Sequence, residues 1–397
     1  MESVRALRLP LLFSLMATLV LAACEDPSNV GLGLVDEQGG TPLVRTVAPT
    51  ETAASELGDL TGNAEQVLVG TVEDPVTGTV TTEAYIDFVA PGGLDIEFRE
   101  SPIQDVSLIL TRSYVYGDTT AQLNLAVYDL LESWSGLNAP ADTTIDSAET
   151  PIVEAPFSAS DSTVTVTMPA DWIAANADTL RSETFASGFL GLRLTATGGN
   201  AVVGFADGTN SRSVLRIATQ SDTLDYALSQ NITRVERLAD PQPPPGYLLL
   251  QDGAGPGVRL NFDFVGSITP NDVLNRGVIR IKADTLAFPA PPTPTYVRPP
   301  LRSLELLVVD TLGIRVPLAA ATLNTEGFFQ FDTIQLRTIL TEILDGERTN
   351  IDHFRVVPTI RPGENAPLTN TVSALLFFDG TDLDGPEAIL TVTPLDD

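Results

Sequence analysis

The sequence predicts an all-β protein built as two tandem β-sandwich domains, each with one short helix, behind an N-terminal tether. Three observations carry that expectation. Short runs of Val, Ile, Leu, Phe, Tyr and Thr recur between turn clusters, as in "VTVTM" from Val164, "LGLRLTA" from Leu190 and "LELLVV" from Leu304, the pattern of half-buried strands. A helical period lasts more than two turns mainly in "PADWIAANADTL" from Pro169 and "TIQLRTILTEIL" from Thr333. The chain also repeats itself in order. "IDFV" from Ile86 returns as "FDFV" from Phe262, "VSLILT" from Val106 as "GVIRIKA" from Gly277, and "LNLAVYD" from Leu123 as "LELLVVD" from Leu304. "FADGTN" from Phe205 returns as "FFDGTD" from Phe377, each followed by a last strand, "SVLRIAT" and "AILTVTP".

Taken from the N-terminus, Arg5 and Arg8 precede the apolar run "LPLLFSLMATLVLAA", a basic region followed by a core of secretory-signal length, so residues 1–23 read as a signal peptide. Leu21, Ala22 and Ala23 lead into Cys24, the only cysteine of the 397-residue chain. That motif resembles the lipobox of bacterial lipoproteins. The resemblance implies cleavage before Cys24 and a diacylglyceryl group on its thiol, with acyl chains worth about 0.8 kcal/mol per buried methylene holding the protein on a bilayer. Glu25 and Asp26 resemble the acidic tags of surface-exposed lipoproteins in Bacteroidota-type bacteria. The expected location is therefore the outer membrane, facing the cell surface, with a periplasm-facing position as the alternative.

Residues 24–66 are rich in Gly, Thr, Pro and acids without sustained periodicity, and read as a flexible tether. The repeat then places the first sandwich at 67–220 and the second at 247–397. Between them, 221–246 reads as a linker ending in "ADPQPPPGY", whose prolines favour an extended, semi-rigid path. A second proline cluster, "FPAPPTPTYVRPP" from Phe288, falls between two matched strands and reads as a surface loop of the second domain.

Composition narrows the function. Asp and Glu number 52 against 22 Lys and Arg, a formal charge of -30, so nucleic acid and anionic lipid headgroups are repelled as partners. Lys282 is the single lysine. An acidic, lysine-poor surface predicts adaptation to salt, the alternative being an ordinary acidic secreted protein from an arginine-biased source. With one Cys and one His, His353, neither a disulfide framework nor a Cys/His zinc site can be assembled. "GLGLVDEQG" has glycines without the strand or spacing of a nucleotide loop.

The acidic "CEDP" after the lipobox, the "LVGTVEDPVTGTVTTEAYIDF" entry, the "VSLILTRSYVYGD" strand pair and the "LLLQDGAGPGVRLNF" opening of the second half resemble an uncharacterised lipoprotein family of Bacteroidota-type bacteria. Each half also resembles jelly-roll modules of the DNRLRE type, related to carbohydrate-binding modules, with "AVYDLLESWSG" leading to a tryptophan loop. These resemblances imply fold and location and supply no catalytic residues.

Candidate ligand contacts are Trp134 in "LESWSGLN" and Trp172 in "PADWIAAN", either of which can stack on a sugar face or cover the rim of the core. The acidic loop "DGTDLDGPE" gathers Asp379, Asp382, Asp384 and Glu387 as candidate ligands of a structural calcium, outside the EF-hand spacing. Asp87 and Asp263 occupy matching places and are expected to face solvent from strands. His353 lacks a G-x-S-x-G partner and reads as an exposed residue at a loop-to-strand junction. No cofactor is expected. The expectation is a non-enzymatic envelope protein with a binding or structural role, glycan recognition included, bound to the membrane through Cys24 and to a glycan or another envelope protein. The alternatives are a polysaccharide-acting hydrolase and an accessory subunit of an envelope or secretion complex.

Overall fold

A computed structural model describes residues 41–55, 61–207, 213–253, 255–268, 272–358, 371–380 and 385–394. The chain starts with β1 (Leu43–Val47) and β2 (Pro49–Ser55), whose partners lie at its far end. The first unit follows: β3 (Gln66–Asp74), β4 (Gly78–Val89), α1 (Ile96–Glu100), β5 (Ile103–Asp118), β6 (Gln122–Asp129), β7 (Val153–Ser158) and β8 (Thr163–Thr167). It is completed by α2 (Ala170–Leu180), α3 (Phe185–Gly188), β9 (Leu192–Thr197), β10 (Ala201–Ala206), β11 (Val214–Thr219) and β12 (Thr223–Ala239).

All strand pairs within this unit are antiparallel. One sheet runs β8-β5-β11-β12, and the facing sheet runs β7-β6-β9-β4-β12. Strand β12 belongs to both. Its first residues pair with β11, Thr223 opposite Ala218, and from Ala227 onward it pairs with β4. The change of partner coincides with a register shift between Leu228 and Gln230, where one extra residue lets a strand bend. A ribbon of β10 and β3 joins the later part of β5 to the early part of β4. Strand β8, "TVTVT", buries every second residue, as a strand with one face on the core must. Strand β10 is buried along its whole length and accordingly reads as the unbroken small and apolar run "AVVGFA".

The second unit repeats this plan. Its elements are β13 (Tyr247–Gln251), β14 (Gly257–Phe262), β15 (Asp272–Lys282), β16 (Tyr296–Val297), β17 (Ser303–Asp310), β18 (Arg315–Thr322), β19 (Phe328–Phe331), α4 (Ile334–Leu344), β20 (Ile351–Pro358), β21 (Ala374–Phe378) and β22 (Glu387–Pro394). Here β19-β15-β22-β1 matches β8-β5-β11-β12, and β18-β17-β20-β14-β2 matches β7-β6-β9-β4-β12. The β13-β21 ribbon matches β3-β10. Helix α4 matches α2, following its short strand and burying Leu336, Ile339 and Leu340; the Thr333 hydroxyl caps it by accepting from the Leu336 amide at 3.1 Å. Each unit has its own large apolar core.

The place of β12 is filled in the second unit by β1 and β2. Leu43 lies opposite Val392 and Val47 opposite Ala388, then the chain crosses at Ala48, and β2 runs along β14 from Pro49 opposite Phe262 to Ser55 opposite Gly257. The second unit is therefore discontinuous in sequence, and the first is inserted between its parts.

Three expectations are corrected by this arrangement. The tether drawn over 24–66 contains two paired strands at 43–55. They lack an apolar alternation because edge strands held mainly by backbone pairing bury little, here Val47 alone. The linker drawn over 221–246 is mostly β12, whose period is broken where it changes sheets and where polar Asn231 and Thr233 are buried; only 240–246 connects the units. Four helices occur among the described residues, three in the first unit, because the brief α1 and α3 are too short to show a period.

Candidate functional site at the seam between the units

The tight turn between β3 and β4 carries Asp74, and its geometry is set by the aspartate itself. One carboxylate oxygen accepts from the amides of Val76 at 2.8 Å and Thr77 at 3.2 Å. The other reaches across the seam, accepting from the Tyr296 hydroxyl at 3.0 Å and the Arg298 Nε at 2.5 Å. The Asp74 side chain is fully buried and that of Arg298 nearly so, at 11% exposure. Burial works to raise the Asp74 pKa, but the hydrogen bonds and charge of Arg298 with the two turn amides outweigh it and hold the carboxyl below its usual range.

Tyr296 and Arg298 come from the proline-rich stretch between β15 and β17, expected as a surface loop of the second domain; it instead buries Tyr296 against the first unit, because β16 pairs there. The loop serves as an arm. Strand β16 pairs with β5, Tyr296 opposite Asp118, and the Tyr296 ring meets Tyr116 edge-on at 6.1 Å. Arg298 also donates to the Pro289 carbonyl at 2.8 Å and lies over the rings of Phe288 and Tyr296. Burial raises the pKa of Tyr116 and of Tyr296, so both stay protonated, and Tyr296 donates to Asp74.

A second set of contacts closes the other side of the seam. Arg237 of β12 donates to the Thr77 carbonyl at 2.7 Å and to Gln251 at 2.5 Å, while Gln251 donates to the Val372 carbonyl at 3.0 Å. Tyr114 of β5 meets Ser373 at 3.2 Å and accepts from the Val372 amide at 3.3 Å. Beside them Asp252 accepts from Thr371 through its amide at 3.1 Å and hydroxyl at 2.5 Å, and from the Gly253 amide at 2.9 Å. Burial pushes Asp252 up to about 6 despite those three bonds.

Two cavities open along this seam. One, about 270 Å³, lies under the proline-rich loop and is lined by Phe288, Pro289, Pro291, Tyr296, Arg298 and Leu375 among others. The other, about 200 Å³, is bounded by Asp252, Leu301, Arg302, Thr371 and Ser373. Phe288, Pro289 and Pro291 give the first a largely apolar wall, while Tyr296 and Arg298 at its edge are committed to Asp74. The carboxylate of Asp74 is consumed by Arg298 and Tyr296. Its chemistry is adhesion between the units.

The residues singled out in the sequence lie elsewhere. Trp172 is 8% exposed, part of the first core, with its indole N–H shared between the two Asp129 oxygens at 2.9 and 3.0 Å. A ring so covered presents no face to a sugar. Trp134 is half-buried beside Leu130, Ile145 and Ile232 and donates to the Leu190 carbonyl at 2.9 Å, covering the outer face of the sheet that holds β4 and β9. Asp379 sits at the end of β21, with its amide on the Gly246 carbonyl, and Glu387 opens β22 in an ion pair with Arg280. Asp382 and Asp384 lie outside the described residues, as do Leu21, Ala22, Ala23 and Cys24.

Asp87 is a further correction: it is buried, not solvent-facing, because β12 covers that edge of β4 and Gln230 donates to it at 3.2 Å. Desolvation raises its pKa. Asp263 is exposed but lies just past β14, accepting the Gly266 amide at 2.9 Å to shape a turn. His353, whose ring Nδ1 is 2.8 Å from the adjacent Asp352 carboxylate, stands on β20. No protein-family model and no curated protein matches this chain.

Proposed function

We infer that the chain is a lipid-anchored, non-catalytic protein of the bacterial outer membrane that acts as a structural or binding module at the cell envelope. The observation that carries this reading is the pairing of β1, the first described strand after Cys24 in sequence, with β22. Within about twenty residues of Cys24 the chain enters β1, which is hydrogen-bonded along β22, so an anchor on that thiol would be joined to a sheet by a strand. Such a join suits a protein whose task is to hold a folded body at a membrane. The buried seam, in which Asp74 and Arg298 bind the units to each other, suits the same task.

Glycan or peptide recognition at the cavity beneath the proline-rich loop is the second reading, favoured by its Phe288, Pro289 and Pro291 wall. Membrane fractionation of cells carrying the natural chain and Cys24→Ser tests the anchor. Retention of the natural chain and release of the variant is the expected result; equal partition of both would remove the anchored reading. Protease shaving of intact cells then distinguishes surface display from a periplasmic position. A glycan array run beside a pull-down from envelope extract separates the two binding roles.

A further inference from the structure

The slot that β1 and β2 occupy is an acceptor for a strand, and the strand is held lightly. In the first unit the equivalent strand β12 is continuous with β11 and buries Tyr226, Leu228, Asn231, Ile232, Thr233 and Val235. In the second unit β1 and β2 bury Val47 alone. The rest of their attachment is the two backbone ladders and a few polar contacts: Arg45 with Asp272 at 3.2 Å and with the Ser267 carbonyl at 3.0 Å, Thr50 with the Asn261 carbonyl, and Glu51 with Asn261. Both strands are outermost in their sheets. They reach the rest of their own unit only by way of the entire first unit.

We propose that the groove formed by the edges of β22 and β14 accepts β1 and β2 from a second copy of this chain, so that copies link by exchanging strands. The occupant is specified by the contacts above. Backbone ladders admit any extended segment, but the Asp272 carboxylate, 2% exposed, receives Arg45, and the buried place opposite Ala388 receives Val47. A second copy brings both at the required spacing and crosses between sheets at the same small residue, Ala48. Exchange keeps every native pairing and changes only which chain supplies it, the condition under which identical elements swap. The groove left open by a donor is a paired sheet edge laid bare, which favours refilling by another strand.

Register gives a direct test. Thr46 faces Ile389, on the side of the sheet away from Val47. Two full chains are made in a Cys24→Ser background, one with Thr46→Cys and one with Ile389→Cys, the second carrying a size tag, together with the double variant as a control for register. The double variant alone should close an internal disulfide. On mixing the two folded single variants under mild oxidation, a mixed disulfide species of the combined mass is expected, exceeding both self-paired species and returning to monomers on reduction. A mixed species no more abundant than the self-pairs would overturn the proposal. So would a mixed species that forms only after the chains are unfolded and refolded together, because exchange would then be absent from the native protein. If a foreign envelope protein fills the groove instead, the mixed species is again lacking and the proposal falls.

Discussion

The two units solve one problem in opposite ways. Each needs a strand that leaves one sheet, bends and completes the other. In the first, β12 does so in direct succession to β11, and side chains secure it: the Tyr226 hydroxyl donates to the Leu180 carbonyl at 2.7 Å, and its ring meets Phe185 edge-on at 4.8 Å. Asn231 exchanges hydrogen bonds with the backbone of Ala64, and Thr233 accepts the Leu68 amide. In the second, β1 and β2 arrive from the other end of the chain and are secured mostly through their backbone. The same architecture can thus be sealed by packing or by pairing. Only the packed strand is committed to one partner.

Substitutions can break or sharpen that contrast. Tyr226→Ala removes a fully buried ring from the packed strand and is expected to cost about 4 kcal/mol in denaturant unfolding. If the loss is no larger than that of trimming β1, the contrast is wrong. Arg298→Ala leaves the fully buried Asp74 carboxylate without its cation and is expected to cost about 3 kcal/mol. The double variant with Asp74→Ala should cost less than the sum of the two single changes, since the stranded charge is then gone, and a double-mutant cycle measures the difference. Val47→Ala, the one buried side chain of the donated strands, should cost about 1.5 kcal/mol, reflecting two lost methyl groups.

The smallest effect is expected from pH, and it sets two seam aspartates against each other. Asp252 has a folded pKa raised to about 6 from 3.8, so its contribution is complete below 3.8 and is lost as pH rises through about 6. Asp74 is held below 3.8, so its contribution is present above that value and is lost as pH falls below it. Stability should therefore rise on acidification from about pH 7 to about pH 5 and fall again in stronger acid. Thermal melts across this range follow it, and Asp252→Asn should flatten the upper limb while leaving the acid limb in place.

The duplicated plan was legible in the sequence because it is written in side chains. Strands such as β8 and β22 alternate apolar and polar residues over one buried face, and α2 and α4 keep a helical stripe. Strands β1 and β2 were not legible. "PTETAAS" pairs through backbone amides and carbonyls, which every residue but proline supplies, so pairing at a sheet edge leaves little trace in composition. Strand β12 was hidden for a different reason: its change of sheet shifts the buried parity, from Tyr226 and Leu228 to Asn231, Thr233 and Val235. At the seam, the proline-rich stretch read as a surface loop, and the pairing of its β16 with β5 left no trace in composition. That its Tyr296 and Arg298 reach Asp74 depends on tertiary position, which local pattern does not encode.

The pairing of Leu43 with Val392 also orders events in time. A chain made from its N-terminus presents β1 and β2 early and their partner β22 late. The inserted unit, whose pairings all lie within 66–239 apart from the short β16, can fold while synthesis continues. These strands must wait, unpaired, until almost the whole sequence has been made. Such a long-range closure is slow to nucleate. It also makes the last sheet to form a checkpoint on completeness, since a truncated chain has nothing to offer its own first strand.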